Sequence, residues 1–446
     1  MAQEVREIRV LSVVDNIGNG GAGRAAYRIH LGVNAVAQGV RSKMFVKAGR
    51  AQKDIATLAE FLPKGRWFAA FDWVVSKIKN KIQHAVWRPY KKTQDKSFKS
   101  DLRGTWLNGA LQKQEYDVLH LHWINKRFIR IEDLPKDKPI VWTLHDSWPF
   151  CGTCHYFLDC NSYQYECGSC PQLGSTNPND LSRRVWKEKK RVFDQLDLHI
   201  VSPSRWLADC ARQSSLFAGR DIRVIPNCLD TDVFRPLSKA EIVEFAEHQQ
   251  NAVVSRVLRE ATQEKGLAKP LILYGAANAA SDRIKGFASL LSALQIFDKQ
   301  GFEANLVVFG ASETDLPLNF EHISVTFVGF VSDVNLLVWL YNAADVMVVP
   351  SLSENLSCAI MEALSCGTPV CCFNIGGNGD MVEHQVNGYL AREKDCTDLA
   401  HGIQECITHS AEWGAAARES VVKKYAVDVV AKQYVKLYKE VAKIED

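Results

Sequence analysis

What most constrains this chain is a recurring pattern. Short runs of continuous apolar, β-branched residues alternate with stretches of helical periodicity. In the first half the runs fall at residues 8–14, 43–46, 117–121, 140–144, 198–202 and 223–225. In the second they fall at 271–274, 305–309, 325–328, 346–349 and 370–373. A strand with one face in water alternates apolar and polar residues. A continuous run suits a strand buried on both faces, as in a parallel sheet covered by helices. The pattern predicts an α/β architecture, doubly wound, and present twice.

The length agrees. Domains run roughly 100–200 residues, so a chain of 446 residues divides naturally into two. Hydrophobic residues make up 47% and charged residues 24%, enough apolar material for a core in each half. The turn-rich segment 227–236 marks the join, and 241–262 reads as a polar helical insertion. The expected organisation is a first Rossmann-like domain at 1–228, a linker with helical insertion at 229–269, and a second Rossmann-like domain at 270–426. A C-terminal helix at 427–446 is expected to pack back on the first domain. The net charge of +3 is too small to argue for nucleic acid as a partner. The first seven residues are polar and lead into a short strand, unlike the apolar core of a secretory signal. No stretch reaches the ~20 apolar residues of a membrane span. A cytoplasmic location is expected, with the 13 cysteines as thiols or metal ligands rather than a disulfide framework.

Chemistry concentrates in three places. The first is the sequence GNGGAG at 18–23, between the first strand and a helical run. Such a turn lets backbone N–H groups approach an anion at a helix N-terminus. It lacks the usual spacing of a dinucleotide fingerprint, and a plain tight turn is the other reading. The second is PSLSENLSCAIMEALSCGTPV at 350–370, directly after a buried strand. Sheets of this kind bind ligands at the carboxyl ends of their strands. Glu354 and Glu362 are eight apart, a little over two helical turns, which predicts similar facing. Two carboxylates suit the hydroxyls of a sugar or ribose, and the N–H groups of Asn355 to Ser357 suit a phosphate. The alternative makes Glu354 a charge matched to the helix dipole and Glu362 a solvated residue. Met361 and its apolar neighbours put Glu362 on a largely buried helix, where an acid needs a partner.

This segment resembles the E-x7-E signature of retaining glycosyltransferases of family 4, which have the GT-B fold: two Rossmann-like parallel-sheet domains facing across a cleft. Other pieces follow in the same order. Gly20–Gly23 is similar to the family's glycine-rich loop, and His120-Leu-His122 and Thr143-Leu-His145-Asp146 to its histidine-bearing strand ends. The segment 225–234 resembles its interdomain connection, Lys285-Gly286 its phosphate-binding lysine, Gly376-Gly377 its glycine pair and Asn387–Leu390 its closing motif. The resemblance covers nearly the whole chain. It implies that Glu362 holds the ribose, Glu354 the transferred sugar's hydroxyls, and Lys285 the diphosphate leaving group. It sets His145 near the reacting sugar, so that His145, Glu354 and Lys285 form the catalytic set. The donor-binding set adds Gly21, Gly23, Arg283, Phe330, Val331, Asn355, Leu356 and Ser357. His122, Asp146 and His155 fall on the acceptor side. The family pairs its lysine with an arginine after the first strand of the second domain. Here Tyr274-Gly-Ala-Ala stands there, and Arg283 is the nearest substitute. No catalytic cofactor is implied. Retention follows from front-face attack, with positioning and charge stabilisation as the sources of rate. The implied donor is a UDP- or GDP-sugar, and the implied acceptor a glycan or polyprenyl-linked sugar in bacterial surface polysaccharide assembly.

The third place is the insert after His145. Cys151, Cys154, Cys160, Cys167 and Cys170 fall within twenty residues, including two C-x2-C pairs close to zinc-ribbon spacing. Structural zinc, an iron–sulfur cluster and disulfides are the readings. A subset of the family carries a similar insert, and this resemblance picks out Cys154, Cys160, Cys167 and Cys170 as zinc ligands. Residues 61–100, finally, interleave ten lysines and arginines with eight Phe, Trp and Tyr against two aspartates. Such a stretch suits an anionic membrane surface, placing the protein peripherally at the inner face. The other reading is a long connection packed on the domain. Two rival functions stand beside a glycosyltransferase: a nucleotide-sugar epimerase of the same fold, and a non-catalytic sugar-nucleotide-binding scaffold.

Overall fold

The computed structural model describes residues 6–18, 20–36, 39–48, 54–57, 90, 111–125, 128–249, 252–261, 269–276, 282–314 and 317–443. The basic, aromatic stretch lies outside these apart from Tyr90. Two all-parallel sheets organise the described residues. The first contains β1 (Ile8–Asn16), β2 (Val40–Ala48), β3 (Ile55–Thr57), β4 (Val118–Leu121), β5 (Ile140–Thr143), β6 (Leu198–Ser202) and β7 (Ile222–Val224), in the order β3-β2-β1-β4-β5-β6-β7. The second contains β8 (Leu271–Gly275), β9 (Ala304–Phe309), β10 (Ile323–Gly329), β11 (Val346–Val349), β12 (Val370–Phe373) and β13 (Gly388–Ala391), in the order β10-β9-β8-β11-β12-β13. Both orders are doubly wound. In each, the chain builds outward from one central strand, then returns to build on that strand's other side.

The reason for the continuous apolar runs is visible in the central strands. β4, β5, β8, β11 and β12 are buried at every position. β10, at a sheet edge, is mostly half-buried and alternates more. Covering helices start where the sequence supplies caps. Asp180 accepts from the Arg183 N–H ahead of the helix Leu181–Phe193, and Ser204 accepts from Leu207 ahead of Arg205–Gln213. The polar insertion forms two helices, Lys239–His248 and Ala252–Ala261. A reciprocal capping box between Ser238 and Glu241 opens the first of them.

The chain divides into two compact units, residues 1–225 with 431–446, and residues 226–430. The helix Val427–Val441 therefore begins in the second and continues into the first. In the first unit, the Tyr438 hydroxyl lies 2.7 Å from His120 Nδ1 and the Tyr434 hydroxyl 3.0 Å from Thr143 Oγ1. His120 Nε2 and Thr143 Oγ1 are 2.8 Å apart, so the four side chains form one buried network. No described helix is long and apolar enough to cross a membrane.

Candidate active site

Strand order in the second sheet reverses between β8 and β11, the place where sheets of this type receive ligands. Two loops leave there. One follows β8 and ends in the turn Arg283–Lys285, capped by Asp282, which accepts from the Ile284 N–H at 3.0 Å. The other follows β11 and leads into the helix Cys358–Ser365. The loops are stitched together: the Leu352 N–H donates to the Ile284 carbonyl at 2.7 Å. Gly286, at φ +72°, makes this approach possible, because a Cβ there would lie 1.8 Å from the Pro350 carbonyl oxygen. Gly376, at φ +54°, closes on the same loop, where a Cβ would lie 1.8 Å from the Glu354 carbonyl oxygen. The Gly377 N–H donates to that carbonyl at 3.3 Å.

Held by these contacts, Lys285 and Glu354 form an ion pair. Nζ lies 3.0 Å from Oε2, and the side chains are 23% and 15% exposed. Glu362 sits inside the helix at 2% exposure and accepts from the Tyr341 hydroxyl at 3.2 Å. The residue pattern predicts Glu354 in the loop or first turn and Glu362 inside the helix, facing a similar side. The helix begins only at Cys358, with Ser357 as its N-cap, so Glu354 lies in the loop. Strand end and glycine contacts, not helical periodicity, set its position. Asn355 is half-buried, and Leu356 and Ser357 are buried beside it. Arg283 shares the turn of Lys285 and is exposed. Phe330, 76% exposed, and Val331 follow β10, an edge strand two places from β8.

The first sheet reverses between β1 and β4. Gly21 opens the helix Gly21–Val36, and Gly23, in its first turn, is buried. His122 follows β4, and His145 and Asp146 follow β5. His122 Nδ1 is 3.0 Å from His145 Nε2. Among the described residues His122 Nε2 is buried without a hydrogen-bond partner. Burial lowers the His145 pKa to about 4, against a pull upward from Asp146. Burial also draws His122 well below the ordinary imidazole value, with His120 and His145 adding to the effect. Both rings are therefore neutral at pH 7.

Asp146 accepts three bonds, from Trp123 Nε1 at 2.7 Å, His155 Nδ1 at 2.7 Å and the Trp148 N–H at 2.9 Å. Burial alone would raise its pKa. The charge and bond of His155, with the other donors, outweigh it and hold the carboxyl below its usual range.

Cys151, Cys154, Cys160, Cys167 and Cys170 line one hollow with Phe157 and Tyr163. All five are free thiols. Among the described residues, no three His, Cys, Asp or Glu side chains are placed to hold a metal ion. Cys154, Cys160, Cys167 and Cys170, the four thiols expected to hold zinc, all line this hollow. Beside them Lys189 is fully buried. Its ammonium donates to the carbonyls of Trp148, Cys151 (2.8 Å) and Gly152 (3.1 Å) and lies 3.7 Å from the Trp148 ring centre.

Three residues here escape sequence reasoning: Tyr341, Trp123 and Lys189. Trp123 had a signal, since it directly follows the histidine-bearing strand end. Tyr341 and Lys189 had none, because each meets its partner only through tertiary packing.

Two family models match the chain. Residues 20–233 match the model described as Glycosyltransferase Family 4, and residues 269–409 the model described as Glycosyl transferases group 1. An uncharacterised glycosyltransferase of Methanocaldococcus jannaschii, MJ1607, is 32% identical over 35% of this chain and 42% of its own length. WcaC of Escherichia coli K12, a glycosyl transferase assigned to colanic acid biosynthesis, is 26% identical over 57% of this chain and 58% of its own. The chain thus spans about half the length of these two relatives. The D-inositol 3-phosphate glycosyltransferase of Streptosporangium roseum is 24% identical over 93% of this chain and 87% of its own. Among solved structures, the sucrose-phosphate synthase of Thermosynechococcus elongatus aligns with a TM-score of 0.63 at 18% identity, covering 98% of this chain and all of that one. Alr3699/HepE of Anabaena, solved with UDP and glucose, aligns with a TM-score of 0.59 at 17% identity, covering 97% of this chain and all of that one. These likenesses show the fold: two parallel-sheet α/β domains of the GT-B class.

Proposed function

We propose that this chain, a glycosyltransferase of the family-4 type, moves a glycosyl group from a nucleoside-diphosphate sugar to a hydroxyl of a glycan or lipid-linked acceptor, with retention at the anomeric carbon. The observation that carries the donor reading is the Lys285–Glu354 pair at the β8/β11 reversal, with Glu362 buried on the following helix. A cation and two carboxylates at one strand end suit a ligand that bears both phosphate and several hydroxyls. Lys285 takes the diphosphate, Glu354 the hydroxyls of the transferred sugar, and Glu362 the ribose. The bound UDP and glucose of Alr3699/HepE support a nucleotide-sugar donor. The name of WcaC supports an acceptor in surface polysaccharide assembly.

Retention rests on the sequence signature. The acceptor oxygen bonds to the anomeric carbon on the face from which the diphosphate departs, the bond from that carbon to the phosphate oxygen breaks, and the acceptor proton passes to the departing phosphate. No protein nucleophile is needed. Lys285 stabilises the charge that develops on the leaving group. His145, neutral at pH 7, is assigned to the reacting sugar as a hydrogen-bonding group. His122, Asp146 and His155 are assigned to the acceptor.

Thermal stabilisation by a panel of UDP-, GDP- and ADP-sugars, with Glu362→Ala alongside, tests the reading. We expect one nucleotide class to raise the melting temperature of the wild type, and the variant to lose that response. An equal response in the variant removes Glu362 from the ribose role. Epimerised nucleotide sugar released without transfer to any acceptor overturns the transferase assignment.

A further inference from the structure

We infer that the Lys285–Glu354 ion pair is an exchange lock, which makes the site favour a sugar-bearing nucleotide over the bare nucleoside diphosphate. The inference rests on the donor-site reading above and adds a specificity role for the charge of Glu354. Both partners are largely buried, and the loops that carry them are fixed by the Leu352–Ile284 bond and by the close approaches of Gly286 and Gly376. The pair is therefore built into the backbone rather than formed by two long surface side chains meeting by chance. Its carboxylate stands 3.0 Å from the cation that the diphosphate needs.

The two ligands meet this arrangement differently. A bare nucleoside diphosphate competes with Glu354 for Lys285 and brings nothing for the carboxylate in exchange. Its negative charge then sits beside a carboxylate that has lost its partner, and like charges in a partly buried site repel. A nucleoside-diphosphate sugar brings phosphate to Lys285 and hydroxyl donors to Glu354 at once. Both charged groups trade one partner for another, and neither is left unsatisfied. The same asymmetry assists turnover. Once the sugar has left, Glu354 recovers its claim on Lys285 and helps to expel the product diphosphate.

Calorimetric titration of UDP, UDP-glucose, GDP and GDP-mannose into the wild type, Glu354→Gln and Lys285→Met tests the lock. Glu354→Gln keeps the shape and hydrogen-bonding capacity but removes the charge. It should tighten the bare diphosphate that the wild type binds by about three- to ten-fold, the size expected for one like charge in a partly exposed site. The preference for the sugar nucleotide over the diphosphate should shrink accordingly. Lys285→Met should weaken both ligands. If Lys285→Met weakens binding while Glu354→Gln leaves the diphosphate unchanged or weaker, the lock is overturned and the donor site stands. If none of the four ligands binds the wild type, the donor-site reading falls and takes the lock with it. Should Glu354→Gln not fold, Glu354→Ala is read by the same criterion.

Discussion

His120 is the residue whose burial has the plainest thermodynamic consequence. It is fully inaccessible, and burial, with His145 nearby, lowers its pKa to about 3 from an ordinary 6.5. A histidine whose pKa is depressed in the folded state is protonated first in the unfolded chain. Its contribution is present above pH 6.5 and is lost as pH falls toward the folded value. Between pH 7 and pH 5 this one ring should cost about 2 kcal/mol. His145 and His30, both drawn to about 4 chiefly by burial, act in the same direction. The melting temperature should therefore fall steadily from pH 7 to pH 5, and a flat profile would contradict neutral burial. Much of the site at this scale was legible beforehand. An acid among Ile360, Met361, Ala363 and Leu364 announces itself, and Glu362 is buried as its neighbours required. The pairing of Lys285 with Glu354 was not legible. The two are 69 residues apart and meet only because β8 and β11 are neighbours in the sheet.

At the scale of elements, the continuous apolar runs became strands, fully buried in β4, β5, β8, β11 and β12 and only partly covered in the edge strands β7 and β10. β3 and β13 were missed. β3 has three residues, and β13 reads Gly-Tyr-Leu-Ala, too short and too mixed to show a run. The insert after β5 carries its own test. Lys189 projects from the helix Leu181–Phe193 and gathers the carbonyls of Trp148, Cys151 and Gly152, so one ammonium holds the turn where the cysteine segment starts. Lys189→Met keeps most of the apolar stem and removes the donor, leaving three carbonyls to lose a charge-assisted bond. We expect a loss of about 3 kcal/mol or more in stability, read from the denaturant midpoint. A midpoint unchanged from the wild type would mean that water replaces the ammonium without cost. Sequence spacing drew attention to the cysteines, yet the charge that anchors their segment comes from a helix that spacing does not connect to them.

For the molecule as a whole, connectivity matters as much as the two sheets. The chain passes from the first compact unit to the second after Ile225 and returns at Ala431. Tyr434 and Tyr438 thus complete a hydrogen-bond network around His120 and Thr143 from far along the chain, with separations of 291 and 318 residues. Tyr438→Phe should leave His120 Nδ1 short of its partner and cost about 1–3 kcal/mol. Urea unfolding followed by tryptophan fluorescence would show it, and an unchanged midpoint would mean that the hydroxyl contributes nothing. This closure also sets a timetable on the ribosome. Residues 226–430, the whole second unit, must be made before the segment that finishes the first one exists. At ordinary elongation speeds the wait is roughly ten to forty seconds. Throughout it, the nascent first unit carries an open seat beside β4 and β5, and any chaperone that attends this chain has that seat to guard.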